Sequence, residues 1–254
     1  MPTASDKGLV DVLDPELRRE HVAEARRRLP GPGYYQVLRW IHEIVRPANY
    51  LEIGVRKGLS LRMALPGTSC IGVDPDPLID REIPDTGIYA LTSDEFFARY
   101  DPAELLGGPV ELAFIDGLHL FEQVLRDFVN LERYSSPSTV AILHDCLPFD
   151  EVTSGRERTT DFYSGDVWKA ALALMRHRPD LEMVTVRTAP TGLSMVRGLD
   201  AGSKRFEEEL PDIVAAHRDL DFDYYSAHRE EMPPEIPNDE DAVRDWLRRA
   251  PANR

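Results

Sequence analysis

Four groups of residues in this 254-residue chain have types and spacing suited to chemistry. The first is Glu52-Ile-Gly54-Val-Arg-Lys-Gly58-Leu-Ser60. Glycines at such spacing let backbone approach a ligand closely. A helix starting behind them would offer free N–H groups to an anion. Ser60 adds a hydroxyl donor for the same phosphate or carboxylate. The second is Asp74, about 20 residues on, where a carboxylate faces the ribose of a nucleoside bound to a doubly wound sheet. The third is Asp116-Gly-Leu-His119, an acid and an imidazole three residues apart. A neutral histidine can accept a proton near physiological pH, although one seen alone more often caps or packs. The fourth is His144-Asp145-Cys146.

Each group requires a strand end to position it. Short apolar runs predict strands at YLEIG (50–54), CIGVD (70–74), IYALT (88–92), ELAFID (111–116) and VAILHD (140–145). They lack strict polar alternation, as expected of a parallel sheet covered on both faces. Helices are predicted over Pro15–Arg28 and over a second segment presenting Val37, Leu38, Ile41, Ile44 and Val45, ended by Pro47. Further helices are predicted at SLRMAL (60–65) and along the face of Phe121, Val124, Leu125 and Phe128. An irregular stretch of about 20 residues follows Asp145, a length usually functional or disordered. Its Phe149, Asp150, Arg156, Arg158, Phe162 and Tyr163 could close over a substrate. Asp166 is a good N-cap for a helix carrying Trp168 and Lys169. EMVTVR (182–187) and LSMVR (193–197) then form an antiparallel hairpin.

The reading is of an α/β protein with a doubly wound, mostly parallel seven-stranded sheet. Residues 1–48 form an N-terminal helical cap, 49–200 the cofactor-binding domain, and 201–254 an acidic helical appendage. Thirty Lys and Arg against forty-five Asp and Glu give a formal charge of −15, which disfavours a phosphate-binding surface and hence nucleic acid. No run approaches the roughly 20 apolar residues of a membrane span, and the N-terminal stretch has no signal-peptide core. Two cysteines, Cys70 and Cys146, give no disulfide framework, so a cytoplasmic location is expected. The N-terminal helices or the hairpin could pair across a two-fold axis into a homodimer.

LEIGVRKGLSLRMA resembles the first motif of class I methyltransferases, especially small-molecule O-methyltransferases of the catechol type. FIDGLHLFEQVLRDF (114–128), GDVWK (165–169) and PTG (190–192) are similar to the signature of a broad bacterial methyltransferase family. The resemblance spans roughly residues 34–198. It implies S-adenosylmethionine as methyl donor and a small-molecule acceptor, methylated on a hydroxyl. Glu52, Gly54, Gly58 and Ser60 would hold the methionine portion and Asp74 the ribose. Thr92, Ser93 and Asp94 would lie beside the adenine, and Ser93-Asp94 could equally cap the helix of EFFARY. Asp116 would stand near the sulfonium methyl. His119 falls where catechol-type enzymes carry a lysine base, so that the role carries over with a different residue. Catechol-type relatives bind magnesium through acids at these strand ends. Here Asp116 and Asp145 match, whereas Cys146 replaces an asparagine. If the pair aligns one residue earlier, His144 joins Asp116 and Asp145 as a ligand, which suits a softer metal than magnesium.

Three other classes share this sheet. A nicotinamide-dependent oxidoreductase would use the same Asp74, but its fingerprint needs three glycines where this chain has two. A metal-dependent hydroxylase would bind Fe(II) at Asp116, His144 and Asp145. A non-catalytic module would retain the cofactor alone.

Overall fold

The computed structural model describes residues 15–249. The first fourteen residues, including most of the stretch read for a leader, and the last five lie outside the described residues. Two helices open the described chain, α1 (Pro15–Arg28) and α2 (Tyr34–Val45). The alternating region follows: β1 (Asn49–Ile53), β2 (Ser69–Val73), β3 (Thr86–Tyr89), α3 (Ser93–Arg99), α4 (Pro102–Leu106), β4 (Val110–Ile115), α5 (Phe121–Glu132), β5 (Ser135–His144) and α6 (Trp168–His177). The hairpin β6 (Glu182–Val186) and β7 (Leu193–Arg197) comes next, then α7 (Arg205–His217), α8 (Phe222–Ala227), β8 (Glu235–Ile236) and α9 (Glu240–Arg248).

The strands form one sheet in the order β3-β2-β1-β4-β5-β7-β6-β8. β3, β2, β1, β4 and β5 run parallel, and β7 lies antiparallel to both β5 and β6. The sheet thus has eight strands rather than seven. Two residues of the C-terminal segment, Glu235 and Ile236, pair in parallel with Thr185 and Val186 of β6. Residues 201–249 are therefore woven into the sheet edge and the helical layers around it.

Side chains alternate between two cores. Leu51 and Ile53 of β1 face Phe121, Val124, Leu125 and Phe128 of α5 and Ala170, Ala171 and Leu174 of α6. Tyr50, Leu112, Phe114 and Ile142 face the other way, onto Val37, Leu38 and Ile41 of α2 and Val243 and Trp246 of α9. Both sheet faces are covered along the central strands, which is why β2, β4 and the second half of β5 are almost wholly apolar.

One predicted helix does not form. SLRMAL is a single 3-10 turn, Leu61–Met63, ending at Ala64 in extended conformation. Pro66 and Gly67 follow at once, and β2 begins at Ser69, so the connection has no length for a helix. The 146–165 stretch is largely packed, with residues 151–152 and 157–159 exposed. Phe149 and Phe162 are buried beneath Val22 and Ala25 of α1, and Arg18 of α1 lies 2.5 Å from Asp161. The mostly charged first helix therefore covers this loop.

Candidate active site

At the carboxyl end of β1, Glu52 is fully buried. It accepts from Ser60 Oγ at 2.6 Å and from the Tyr50 hydroxyl at 2.7 Å. Burial outweighs these two bonds and pushes its pKa up to about 8. Glu52 and Ser60 are thus bound to each other beneath the loop, and the loop presents backbone outward. Gly54 has φ +90°, and a Cβ there would lie 2.0 Å from the Asp116 carbonyl oxygen. Only glycine lets the exits of β1 and β4 come this close. Asp74 ends β2. Its Oδ2 accepts from Arg56 N–H at 2.7 Å and its Oδ1 from Asp76 N–H at 2.8 Å. The half-exposed carboxylate holds the glycine loop and keeps lone pairs on both oxygens for another donor.

Past β3, Thr92 caps α3, with Glu95 completing a capping box. Ser93 Oγ and Asp94 Oδ1 each accept from Gln123 Nε2 at 3.2 Å, joining α3 to α5. The helix-cap role therefore belongs to Thr92, and Ser93 and Asp94 tie two helices together beside the end of β3.

The ends of β4 and β5 gather four side chains. His144 Nδ1 lies 3.0 Å from Asp116 Oδ1 and 3.4 Å from Asp145 Oδ1. His119 Nδ1 lies 2.8 Å from Asp145 Oδ2, close but not aligned as a hydrogen bond, and its Nε2 is 3.9 Å from Asp116 Oδ1. Asp145 takes a left-handed backbone, φ +63°, an uncommon and costly conformation for a non-glycine residue. Its Oδ1 also accepts from the Thr191 hydroxyl. His144 and Asp145 are buried, whereas the His119 side chain keeps 30% of its surface exposed. Burial disfavours both imidazolium ions. The neighbouring carboxylates outweigh it, so the pKa of His119 is raised and that of His144 raised well above the usual value. Burial opposes ionisation of Asp145, but His144 and His119 together hold its pKa low. Asp116, His144 and Asp145 each offer one ligand atom, all within 4.8 Å of one another. Cys146 is turned away. Its thiol is buried, lies 3.5 Å from the Leu143 and His144 carbonyls, and is pushed up to about 12 by burial. It stays protonated and outside the cluster.

Three further parts come from segments distant in sequence. The Tyr34 ring lies 4.5 Å from the His144 ring, and Tyr163 stacks on His119 at 5.7 Å. Thr191, from the PTG motif, supports Asp145. GDVWK also has a role that its sequence did not suggest. Asp166 accepts from Phe121 N–H at 3.0 Å, capping α5 rather than its own helix. The residue before it, Gly165, has φ +59°, and a Cβ there would lie 1.8 Å from the His119 carbonyl oxygen. Arg156 then bridges Glu122 at 2.5 Å and Asp166 at 2.6 Å, and Tyr163 donates to the Arg156 carbonyl at 2.9 Å. The long loop is thereby latched to the turn that carries His119. Tyr34 and Thr191 were not among the sequence candidates, because 110 and 46 residues of chain separate them from His144 and Asp145.

A glycine loop, an acid after β2 and an acid–imidazole cluster after β4 and β5 thus lie along one edge of a sheet with strands ordered 3-2-1-4-5-7-6-8. Residues 51–146 match the family model of a methyltransferase domain. That match runs from β1 to β5. A Klebsiella pneumoniae protein provisionally assigned as an O-methyltransferase shares the fold at TM-score 0.52 and 18% identity, over 77% of this chain and 96% of that one. The cofactor-bound protein Rv0187 from MTB does so at 0.50 and 16%, over 79% and 99%. The O-methyltransferase TomG from Streptomyces achromogenes, involved in tomaymycin synthesis and solved with SAM, does so at 0.50 and 14%, over 74% and 92%. At these identities the likeness is one of fold. No curated protein matches the sequence. No described helix is long and apolar enough to cross a membrane.

Proposed function

We propose that the protein is an S-adenosylmethionine-dependent methyltransferase acting on a hydroxyl of a small molecule in the cytoplasm. The observation that carries this is the placement of Asp74, the Gly54 loop and the His119 cluster along one edge of one sheet. The edge fits the cofactor. Asp74 keeps lone pairs for two ribose hydroxyls, and the Gly54–Gly58 loop offers backbone where side chains would obstruct. When bound, S-adenosylmethionine supplies an electrophilic methyl group on its sulfonium.

This chain's residues do the rest. Asp145, facing His119 Nδ1, favours the tautomer that leaves Nε2 free. His119 Nε2 then takes the acceptor's hydroxyl proton as the oxygen attacks. Asp116 and Asp145 stabilise the imidazolium that results. Tyr163, α1 and the latched loop exclude water. Asp116, His144 and Asp145 would hold a divalent cation. Two carboxylates and an imidazole favour a metal of the manganese-to-zinc row over magnesium, and such an ion would stabilise the acceptor oxyanion as a Lewis acid.

Calorimetric titration of S-adenosylhomocysteine tests the reading. The wild type should bind, and Asp74→Ala should bind at least about tenfold more weakly, through loss of charge-assisted bonds to the ribose. A wild type that ignores the ligand, or a mutant of equal affinity, rejects the assignment.

A further inference from the structure

Beside the cluster lies a second cavity, of about 320 Å³, between α1, the segment after β5, the turn before β7, and α8. That volume is in the range of small-molecule sites. Three arginines line it, Arg28, Arg187 and Arg229, with Phe149, Phe222 and Tyr225 as aromatic walls. The chain carries a formal charge of −15, so a concave surface with three guanidinium groups runs against its overall character.

The guanidinium groups are held in place rather than loose. Arg28 lies 4.1 Å over the Phe149 ring and donates to the Phe149 carbonyl at 2.7 Å. Arg229 lies 4.5 Å over the Tyr225 ring and donates to its hydroxyl. Stacking fixes the plane of a guanidinium and leaves its edge free for an anion. The acids available do not neutralise the set. Glu235 is shared between Arg187 and Arg229 and is not part of the cavity wall. Glu24 pairs with Arg28 but also with Arg27. Arg28 Nη2, both Arg187 Nε and Nη2, and Arg229 Nε have no hydrogen-bond partner among the described residues.

The cavity adjoins the catalytic cluster through two short segments. Leu147 lines it two residues after Asp145, and Pro190 lines it one residue before Thr191, which bonds Asp145. Leu147 N–H donates to the Thr191 carbonyl at 2.7 Å, which ties the two segments together.

We infer that this cavity binds the carboxylate or phosphate group of an anionic aromatic acceptor, placing the rest of that molecule toward the Asp145 side. The inference rests on the methyltransferase reading for its acceptor role and on the arginines for its charge selectivity. Forked guanidinium groups match either oxyanion bidentately, and the aromatic walls suit a planar ring. Binding energy taken here, away from the reacting hydroxyl, would orient the acceptor for in-line attack.

Ligand-observed NMR titrations of the full chain, with S-adenosylhomocysteine titrated in parallel by calorimetry, test this. The probes are benzoate, phenyl phosphate and, as neutral isostere, benzamide. At least one anionic probe should bind the wild type roughly tenfold tighter than benzamide. Arg187→Gln and Arg28→Gln, both at half-exposed positions, should each abolish most of that preference and leave S-adenosylhomocysteine affinity unchanged. Preference for benzoate assigns a carboxylate, and preference for phenyl phosphate assigns a phosphate ester. Normal S-adenosylhomocysteine binding with no preference for either anion, or with a preference the variants retain, overturns the inference and leaves the methyltransferase reading intact. Anion preference in a protein that does not bind S-adenosylhomocysteine overturns the acceptor role along with the methyltransferase reading.

Discussion

His119 faces Asp145 with one nitrogen and solvent with part of its ring, an arrangement that a purely structural histidine does not need. Its turn is gripped from below by the glycine at 165 and by the Asp166 cap on α5, so removing the ring should not move the turn. His119→Ala is expected to keep S-adenosylhomocysteine affinity within about twofold and to lose roughly 10²–10⁴ in turnover, the usual worth of a general base. Calorimetry, and release of S-adenosylhomocysteine with a hydroxyl-bearing acceptor, measure the two quantities. Unimpaired turnover would remove His119 from the chemistry. His144 has a different role. Its Nε2 is buried without a hydrogen-bond partner among the described residues, and its Nδ1 points at Asp116. Its side chain therefore serves the two acids, with or without a cation between them.

The 146–165 loop shows what a sequence conveys about an element and what it withholds. Its length, and its Arg156 and Tyr163, marked it as a cover for the site. Its order comes from partners that no local pattern reveals. Arg156 finds Glu122 on α5 and Asp166 at the far end of the loop, and Phe149 and Phe162 find α1. Arg156→Ala should release this latch. Hydrogen exchange of residues 150–164 is expected to accelerate by at least about tenfold, while α5 and the central strands keep their protection. Losing charge-assisted bonds at a half-buried position costs roughly 1–2 kcal/mol locally. Uniform exchange across wild type and variant would show that α1 alone holds the loop. The strands, by contrast, were legible because the buried stretches of covered parallel strands are mostly apolar: β1, β2 and β4 were found within one residue of their limits, whereas β3 was placed two to three residues late and the polar first half of β5 was missed. The helix expected at residues 60–65 failed for a reason of length, since the stop at Pro66 and Gly67 leaves room for one turn. The cap on Asp166 was assigned to the nearer helix because a sequence shows only neighbours.

At the scale of the molecule, one chain of contacts joins the helical cap to the glycine loop, and it carries opposing pH dependences. His42 of α2 packs edge-on against Tyr50 at 4.6 Å, Tyr50 bonds Glu52, and Glu52 bonds Ser60. None of this could be read in advance. The apolar face of α2 was visible, yet a buried histidine within it, and a buried acid bonded to two hydroxyls, depend on which strand the helix covers. Burial lowers the His42 pKa to about 4, so the folded state excludes its proton, and stability is lost as pH falls from the ordinary histidine value of 6.5 toward 4. Glu52 has the opposite sign. Burial raises its pKa from 4.5 to about 8, so the folded state binds a proton that the unfolded chain releases, and stability is lost as pH rises through that interval. The two slopes oppose each other between about 4.5 and 6.5, and Glu52 acts alone of this pair above that. Glu52→Gln imitates the protonated acid and keeps partners for Ser60 and Tyr50. Urea unfolding of wild type and variant should therefore diverge between pH 6.5 and 8, the wild type weakening relative to Glu52→Gln by up to about 1.4 kcal/mol per pH unit. Parallel stability curves across that interval would mean that Glu52 is ionised in the folded protein. The loop it supports would then rest on a buried carboxylate anion held by two hydroxyl groups.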